Sequence, residues 1–276
     1  MLLKRTYFQS ESGRKLAVYQ KSSVRDTQKG LILFHGYAEY TDRYRSFIDM
    51  LSKEGFNVYA IDHHGHGRSD GTRAYINDFN TLISDASVWF KELKIAHPNY
   101  VWYVFGHSMG GGIALNFTLD HQDEIEALVL SGPLIKLPDN VPKFLRLIGQ
   151  GLSIVTPKLP AVAVDFDLIS RDPDVIRIYK EDPLIYTGNV RARTAIEMDK
   201  FSKRIQKRLS ELKIPVWIGH GSLDRITDPD GSRKLYELAA SPDKTLKIYP
   251  GLFHEILNEP ESQIVMHDIS QWLAKH

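Results

Sequence analysis

The chain has 276 residues, 42% of them hydrophobic, which suits one elaborated globular domain and excludes a disordered or collagen-like protein. Its 35 basic and 34 acidic residues leave a formal charge of +1, so the basic footprint of a nucleic-acid-binding protein is missing. The chain has no cysteine, which excludes disulfides, thiolate metal ligands and a cysteine nucleophile and suits a reducing compartment.

The first 30 residues alternate charged and apolar positions and lack the continuous apolar core of a signal peptide. No apolar run approaches the ~20 residues that a membrane-spanning helix requires. We therefore expect a cytoplasmic protein whose contact with a membrane, where it has one, is peripheral.

A predicted hairpin opens the chain, and an alternation of buried strands and helices follows. Residues 6–9 and 15–20 flank a turn that contains Gly13. Five short apolar runs follow, at residues 31–34, 58–61, 101–105, 128–130 and 216–218. Apolar and polar residues do not alternate in these runs, which is typical of parallel strands covered on both faces. Stretches with helical periodicity separate the first of them: 44–53, 79–96 and 109–119. The pattern predicts an α/β protein with a doubly wound, mostly parallel sheet and an antiparallel start.

Residues 134–200 interrupt this alternation with a stretch rich in proline and apolar residues, followed by predicted helices at 175–180 and 190–210. Such an insertion lies over the carboxyl edge of the sheet, where open α/β sheets bind ligands. We therefore predict a core made of residues 1–133 and 201–276 and a cap made of residues 134–200. The alternative is a helical subdomain that only covers the core.

The segment Gly106-His107-Ser108-Met109-Gly110 has the form G-x-S-x-G between a buried strand and a helix. A serine on this tight turn points outward, and side chains in place of the glycines would collide with the neighbouring strand and helix. Ser108 is therefore the candidate nucleophile. The alternative is a serine that caps the helix.

A serine nucleophile needs a histidine base, and the base needs a carboxylate that orients it. Asp224 follows the strand at 216–218 through a glycine-rich turn, and His254 follows the next strand-like stretch, 245–249, in the same way. The order nucleophile, acid, histidine is the one that this type of fold requires. Asp224 could instead be a turn or cap residue, with Asp228 as its competitor, and His254 could be a packed loop histidine.

Two backbone N–H groups are expected to bind the oxyanion that forms during attack on an ester. One is that of Met109, at the start of the helix after Ser108, and the other is that of Tyr37, in the loop after the strand at 31–34. A metal site is the alternative for the segment Asp62-His63-His64-Gly65-His66, because its imidazoles could bind a zinc ion. The segment is also typical of a glycine-rich loop after a strand. We therefore predict no metal.

These motifs together resemble the α/β-hydrolase superfamily and, more narrowly, its monoacylglycerol lipase and lysophospholipase group. The resemblance covers nearly the whole chain and is strongest at residues 35–40, 43–44, 62–69, 106–111, 221–224 and 254. It implies an α/β-hydrolase fold, with a mostly parallel eight-stranded sheet flanked by helices and a helical cap insertion. It also implies a catalytic triad and no cofactor.

By the same resemblance, Tyr179 in the segment 179–184 faces a glycerol head group, and Glu39, Arg43 and His107 line the polar end of the substrate pocket. The chain departs from some family members at Leu257, where they carry a second pocket histidine. The resemblance therefore implies the glycerol contacts, and with them head-group selectivity, less directly than it implies the chemistry.

The expected activity is cleavage of the ester bond of monoacylglycerols to fatty acid and glycerol through an acyl-enzyme. Burial of ~12 methylenes at ~0.8 kcal/mol each would dominate substrate affinity. The apolar stretch at residues 144–155 is expected to form the acyl wall and to bring the cap into peripheral contact with a membrane. The small-molecule lipid ester is thus the expected partner, with no nucleic acid.

Other functions stay open at this point. A lysophospholipase, a general carboxylesterase or a peptidase would use the same three side chains. An acyltransferase would replace water by an alcohol in the second step. A binding protein on the same scaffold would use none of this chemistry.

Overall fold

The computed structural model describes residues 2–138 and 153–276. Most of the predicted acyl wall at 144–155 therefore lies outside the described residues. The strands, in chain order, are β1 Lys4–Gln9, β2 Lys15–Lys21, β3 Lys29–Phe34, β4 Asn57–Ile61, β5 Val101–His107, β6 Ile125–Ser131, β7 Pro160–Val162, β8 Val190–Arg191, β9 Val216–Gly221 and β10 Lys244–Tyr249. The helices are α1 Arg45–Lys53, α2 Phe79–Ala96, α3 Met109–Asp120, α4 Pro173–Glu181, α5 Ala192–Ile205, α6 Pro229–Leu238 and α7 Ser262–Leu273.

Eight strands form one sheet in the order β1-β2-β4-β3-β5-β6-β9-β10. The pairs β1–β2 and β2–β4 are antiparallel, and the pairs from β4 through β10 are parallel. The predicted hairpin and the mostly parallel eight-stranded sheet are confirmed. Because the parallel strands run in one direction, the loops after β3, β5, β6, β9 and β10 meet at the same carboxyl edge.

Two apolar layers cover the two faces of the sheet, which is why the parallel strands are continuous apolar runs. On one face α2 and α3 pack around Phe90 and Phe117. On the other face α1 and α7 pack around Phe47 and Trp217. Each of these fully buried side chains contributes roughly 2–3 kcal/mol of apolar burial, so the sheet is a rigid platform for the loops at its edge.

The expected cap region contains β7 and β8, paired antiparallel, and α4. Beneath α4 lies a small apolar cluster separate from the two main layers, made of Tyr40, Phe166, Ile169, Tyr179 and Ile185. The helix predicted at 190–210 is too long. Residues 190–191 form β8, α5 covers 192–205, and a 3₁₀ turn follows at Leu209–Glu211.

The boundary predicted at residue 200 falls inside α5. Phe201 stacks on Phe79 with ring centroids 4.5 Å apart, and the Ser202 hydroxyl donates to the Ile135 carbonyl. The last turns of α5 therefore pack against the core. After the helix ends at Ile205, Leu209 and Leu212 are still fully buried.

Within residues 2–138 and 153–276, no helix has both the length and the apolar character needed to cross a bilayer.

Candidate active site

Ser108 lies on the sharp turn between β5 and α3, with φ +54° and ψ −121°. This left-handed conformation is strained for a residue with a side chain and costs roughly 1–3 kcal/mol. A Cβ atom at Gly110 would collide with the carbonyl oxygens of Phe34 and His35, and one at Gly106 with the carbonyl oxygen of Gly110. The turn therefore has the tight geometry that the sequence predicts.

The Ser108 side chain occupies the helix-capping position but makes no capping hydrogen bond to α3. Capping therefore does not account for a serine here. Its backbone N–H donates to the Ser131 carbonyl at 3.0 Å, which ties the turn to the end of β6.

Asp224 and His254 meet at the carboxyl edge, with His254 Nδ1 2.7 Å from Asp224 Oδ2. Both residues are buried. Asp224 Oδ1 accepts the backbone N–H groups of Ile226 and Thr227 at 2.8 and 3.0 Å, which fixes the carboxylate in its loop. Since Asp224 only accepts, Nδ1 of the imidazole carries a proton and Nε2 is left as the basic nitrogen.

Asp228, the competing acid, has a different position. Its side chain accepts the N–H of Asp230 at the start of α6 and pairs with Lys136 at 2.6 Å. Asp228 is therefore a helix cap, and Asp224 is the carboxylate that contacts His254.

Sequence reasoning missed two residues that hold Asp224. His220 Nε2 lies 3.0 Å from Asp224 Oδ2, and its Nδ1 lies 2.8 Å from the Ser232 hydroxyl. The Thr227 hydroxyl lies 2.9 Å from the same Oδ2 atom. His220 stands four residues before Asp224 in the motif, but nothing in the pattern shows which way its ring points.

The turn that carries Ser108 and the loop that carries His254 lie against each other. The rings of His107 and His254 are 4.8 Å apart, and a Cβ atom at Gly132, beside Ser131, would lie 3.4 Å from His254 Nδ1. Within residues 2–138 and 153–276, the Ser108 hydroxyl makes no hydrogen bond to His254. Such bonds are often long in ligand-free enzymes and tighten when substrate binds.

The loop after β3 lies beside Ser108 on the other side. A Cβ atom at Gly36 would be 3.3 Å from Ser108 Cβ. His35 Nε2 accepts the His63 N–H at 2.9 Å, so Nδ1 carries the proton and donates to the Gly36 carbonyl at 2.7 Å. Because the N–H of Tyr37 is trans to that carbonyl in the same peptide unit, it points away from His35.

A buried ionic cluster adjoins this loop. Glu39 Oε1 accepts the Gly36 N–H at 2.6 Å, and Glu39 Oε2 accepts from Arg43 Nη1 at 2.5 Å. Arg43 also holds Glu255 through both terminal nitrogens, at 2.5 and 2.6 Å. The Arg43 guanidinium lies 4.6 Å above the Tyr179 ring. The structure thus brings three of the predicted head-group residues together and adds Glu255, which sequence reasoning missed.

His107, the fourth of those residues, lies outside this ionic cluster. Its Nδ1 is 3.1 Å from the Ser131 hydroxyl, and its ring packs on His254. Leu257, at the departure from the family pattern, is buried in the apolar layer beneath the His254 loop. Asn258 next to it donates to Glu255 at 2.9 Å.

Burial and nearby charges shift the pKa values of two adjacent histidines in opposite directions. Burial lowers the pKa of His107 to about 3, aided by repulsion from a protonated His254, so His107 is neutral at pH 7. Burial also disfavours the charged form of His254, but the Asp224 carboxylate outweighs this effect and raises the pKa of His254 above its usual value. Burial opposes the charge of Glu39 as well, yet Arg43 holds its pKa at about 2.

The histidine-rich loop after β4 is packed into the structure. His63 stacks on Phe34 with centroids 5.7 Å apart, and His66 lies 5.4 Å from the His35 ring. The Asp62 carboxylate accepts from Tyr19, Thr41 and Arg68. In the described part of the chain, no group of three or more His, Asp or Glu side chains has an arrangement that could hold a metal ion.

Comparisons with known proteins identify the family of the chain. A profile of the family described as "Serine aminopeptidase, S33" matches residues 25–261. Monoacylglycerol lipase of Mycolicibacterium smegmatis is 37% identical over 91% of this chain and 90% of its own. Human monoglyceride lipase is 34% identical over 90% of this chain and 84% of its own.

A solved structure shows the same likeness in three dimensions. A soluble variant of monoglyceride lipase from Saccharomyces cerevisiae, in complex with a substrate analogue, superposes with a TM-score of 0.88 at 27% identity. The match covers 100% of this chain and 95% of that one. The chain therefore belongs to the serine aminopeptidase S33 family of the α/β-hydrolase superfamily, with monoacylglycerol lipases among its relatives.

Proposed function

We propose that this protein is a serine hydrolase that cleaves monoacylglycerols to fatty acid and glycerol. The observation that carries the proposal is the buried Asp224–His254 pair, 2.7 Å apart, next to the strained turn that presents Ser108. Relatives described as monoacylglycerol lipase and monoglyceride lipase support the choice of substrate.

In this mechanism His254 Nε2 takes the Ser108 proton while the serine oxygen attacks the ester carbonyl. Asp224 holds the imidazole in the required tautomer and stabilises the imidazolium. The N–H groups of Tyr37 and Met109 bind the oxyanion, and each such donor contributes about 3–4 kcal/mol to the transition state. Glycerol leaves with the proton held by His254, and water then hydrolyses the acyl-enzyme with the same base.

We assign the polar end of the substrate site to the alcohol part of the ester. Glu39, Arg43, His107 and Tyr179 surround it in our proposal, with Tyr179 contributed by α4. The buried charges of Glu39 and Arg43 would disfavour an acyl chain at this end. The acyl chain then extends away from these charges.

The cap also offers a surface for peripheral contact with a membrane or lipid aggregate. Ile154 and Val155 are 77% and 80% exposed, and Leu159 and Val162 are also exposed nearby in the chain. Lys158 lies among them and would suit the anionic surface of a lipid bilayer. We propose that substrate reaches the site from this side.

A fluorophosphonate probe tests the proposed nucleophile. We expect the intact protein to be labelled and Ser108→Ala to lose labelling and hydrolysis, because the probe reacts with an activated serine. Ser84→Ala, at an exposed position of α2, is the matched control and should label like the parent chain. Labelling that survives in Ser108→Ala would refute the assignment.

A substrate series then tests the reaction. We expect monoacylglycerols with long acyl chains to be cleaved with higher kcat/KM than short aryl esters or aminoacyl amides, because chain burial contributes most of the affinity. Preference for the amides would point to a peptidase, and ester products formed with added alcohol would point to an acyltransferase. Absence of any probe labelling would favour a binding protein.

A further inference from the structure

Glu255 is a buried carboxylate directly after His254, and the mechanism above gives it no role. It is 4% exposed and forms a bidentate ion pair with the two terminal nitrogens of Arg43. The first of these nitrogens also contacts Glu39 at 2.5 Å. Both terminal nitrogens of Arg43 are therefore held by carboxylates of the protein itself.

The cluster carries a net negative charge. Glu39 and Glu255 contribute two negative charges and Arg43 contributes one positive charge. Burial raises the pKa of Tyr44 and of Tyr179 well above the usual value, so both phenols are neutral. One uncompensated negative charge thus remains in a region from which water is excluded, where charges interact strongly.

This charge lies next to the reacting groups. A Cβ atom at Gly36 would be 2.6 Å from the Glu39 carboxylate and 3.3 Å from Ser108 Cβ. The Glu39 carboxylate and the Ser108 side chain therefore both lie next to Gly36. Glu255 is bonded to His254 through the chain, and its carboxylate and that of Glu39 both act on the charge of that imidazole. In the proposed binding mode, the alcohol part of the ester lies close to this cluster.

We propose that Glu255 is a specificity-determining residue that occupies Arg43 and leaves the head-group site anionic, so that a neutral glycerol is accepted and a phosphate-bearing head group is rejected. This inference rests on the proposed function and refines its substrate class. A phosphate would have to displace a buried carboxylate from Arg43 or lie beside it unpaired, and such like-charge contacts are costly. Glycerol hydroxyls, by contrast, can donate to the two carboxylates.

The test compares a monoacylglycerol with the lysophosphatidic acid of the same acyl chain in the same detergent micelles. We expect kcat/KM of the parent protein to favour the neutral ester by about 100-fold or more, a ratio set by like-charge repulsion. Glu255→Gln keeps the size of the side chain but removes its charge, and we expect it to lower this ratio at least about tenfold. Glu255→Asp keeps the charge and should keep most of the ratio.

Glu261→Gln is the matched control, because Glu261 is a carboxylate of the same loop that pairs with Arg171 at the surface. It should keep the ratio of the parent protein. Circular dichroism melting of each variant shows that it is folded. A folded Glu255→Gln with an unchanged ratio would overturn the inference.

A second measurement does not depend on the head group. Asp224, His107 and Glu39 approach His254 from three other segments and Glu255 follows it in the chain, and the carboxylates among them favour its charged form. Removing the charge of Glu255 should therefore move the acid limb of the kcat/KM profile for a short neutral aryl ester to lower pH, whereas Glu261→Gln should not. An unmoved limb in Glu255→Gln would show that the carboxylate does not act on the site.

The two proposals can fail separately. Equal hydrolysis of the neutral and the phosphate-bearing lipid by the parent protein would overturn the role of Glu255 and leave the hydrolase assignment intact. If neither lipid is cleaved, the monoacylglycerol assignment fails. In that case, inhibition of aryl ester cleavage by inorganic phosphate tests the role of Glu255. If the role is correct, phosphate inhibits Glu255→Gln more strongly than it inhibits the parent protein.

Discussion

At the scale of single residues, the Asp224 carboxylate contacts several groups besides the imidazole of His254. One oxygen accepts two backbone N–H groups, and the other lies within 3.0 Å of His254, Thr227 and His220. Burial alone would raise the pKa of Asp224, but the nearby imidazoles hold it well below its usual value. The carboxylate is therefore ionised whenever His254 is required to act.

Replacing this carboxylate tests which aspartate serves His254. We expect Asp224→Asn to lower kcat on a short aryl ester by about 10³–10⁴-fold, because an amide no longer selects the tautomer that leaves Nε2 basic. Asp228→Asn is the control, since Asp228 caps α6. It should keep kcat within about threefold and lower Tm by no more than about 2 °C, because asparagine caps a helix as well as aspartate does and only the partly exposed ion pair with Lys136 is lost. The opposite pattern would reverse the assignment of the two residues.

At the scale of elements, α5 connects the expected cap to the core. It begins directly after β8, which pairs with β7, and it ends with Phe201 packed in the apolar layer formed with α2 and α3. Ser202 and Gln206 both donate to the Ile135 carbonyl, which anchors the chain where it leaves β6. The position of the cap region thus depends on core packing at one end of this helix.

We expect Phe201→Ala to lower the free energy of unfolding by about 3–5 kcal/mol, because it removes a fully buried ring that stacks on Phe79. Chemical denaturation measures this change. Ile178→Ala, on the exposed side of α4, should change stability by less than about 0.5 kcal/mol. Equal effects of the two substitutions would show that α5 does not anchor the region.

At the scale of the whole molecule, buried neutral histidines make stability depend on pH. Burial lowers the pKa of His66 and of His107 to about 3, and that of His63 well below its usual value. Each binds a proton near pH 6.5 only when the chain unfolds. The unfolded state therefore binds more protons below that pH, and stability, fully present above pH 6.5, falls as the pH drops toward 3.

His66→Asn tests this linkage, because asparagine can replace the contact between Nδ1 and the His64 carbonyl without titrating. Between pH 4.5 and 6 we expect the slope of unfolding free energy against pH to decrease by about 1.4 kcal/mol per pH unit, the value for one proton. Gln271→Asn, at an exposed position of α7 that does not titrate, is the control and should leave the slope unchanged. Denaturant unfolding at several pH values provides both slopes. An unchanged slope in His66→Asn would refute the linkage.

The sequence alone predicted the features that depend on neighbours along the chain. The glycines around Ser108 indicate a turn too tight for side chains, and unbroken apolar runs indicate strands covered on both faces. The order of Ser108, Asp224 and His254 follows from the strands that precede them. Local pattern also predicted too long a helix at 190–210, because Phe201, Ile205 and Leu209 keep helical spacing beyond the residue at which the helix ends.

Only the tertiary structure decided which polar groups meet. Arg43 and Glu255 are 212 residues apart, and His220 faces Asp224 only because β9 and the loop after it set the direction of both side chains. The distinction between Asp224 and Asp228 has the same origin, since both follow β9 and only the fold brings one of them to His254. Ionic contacts carry no periodic signal along the chain, because their partners are selected by distance in space and by the exclusion of water.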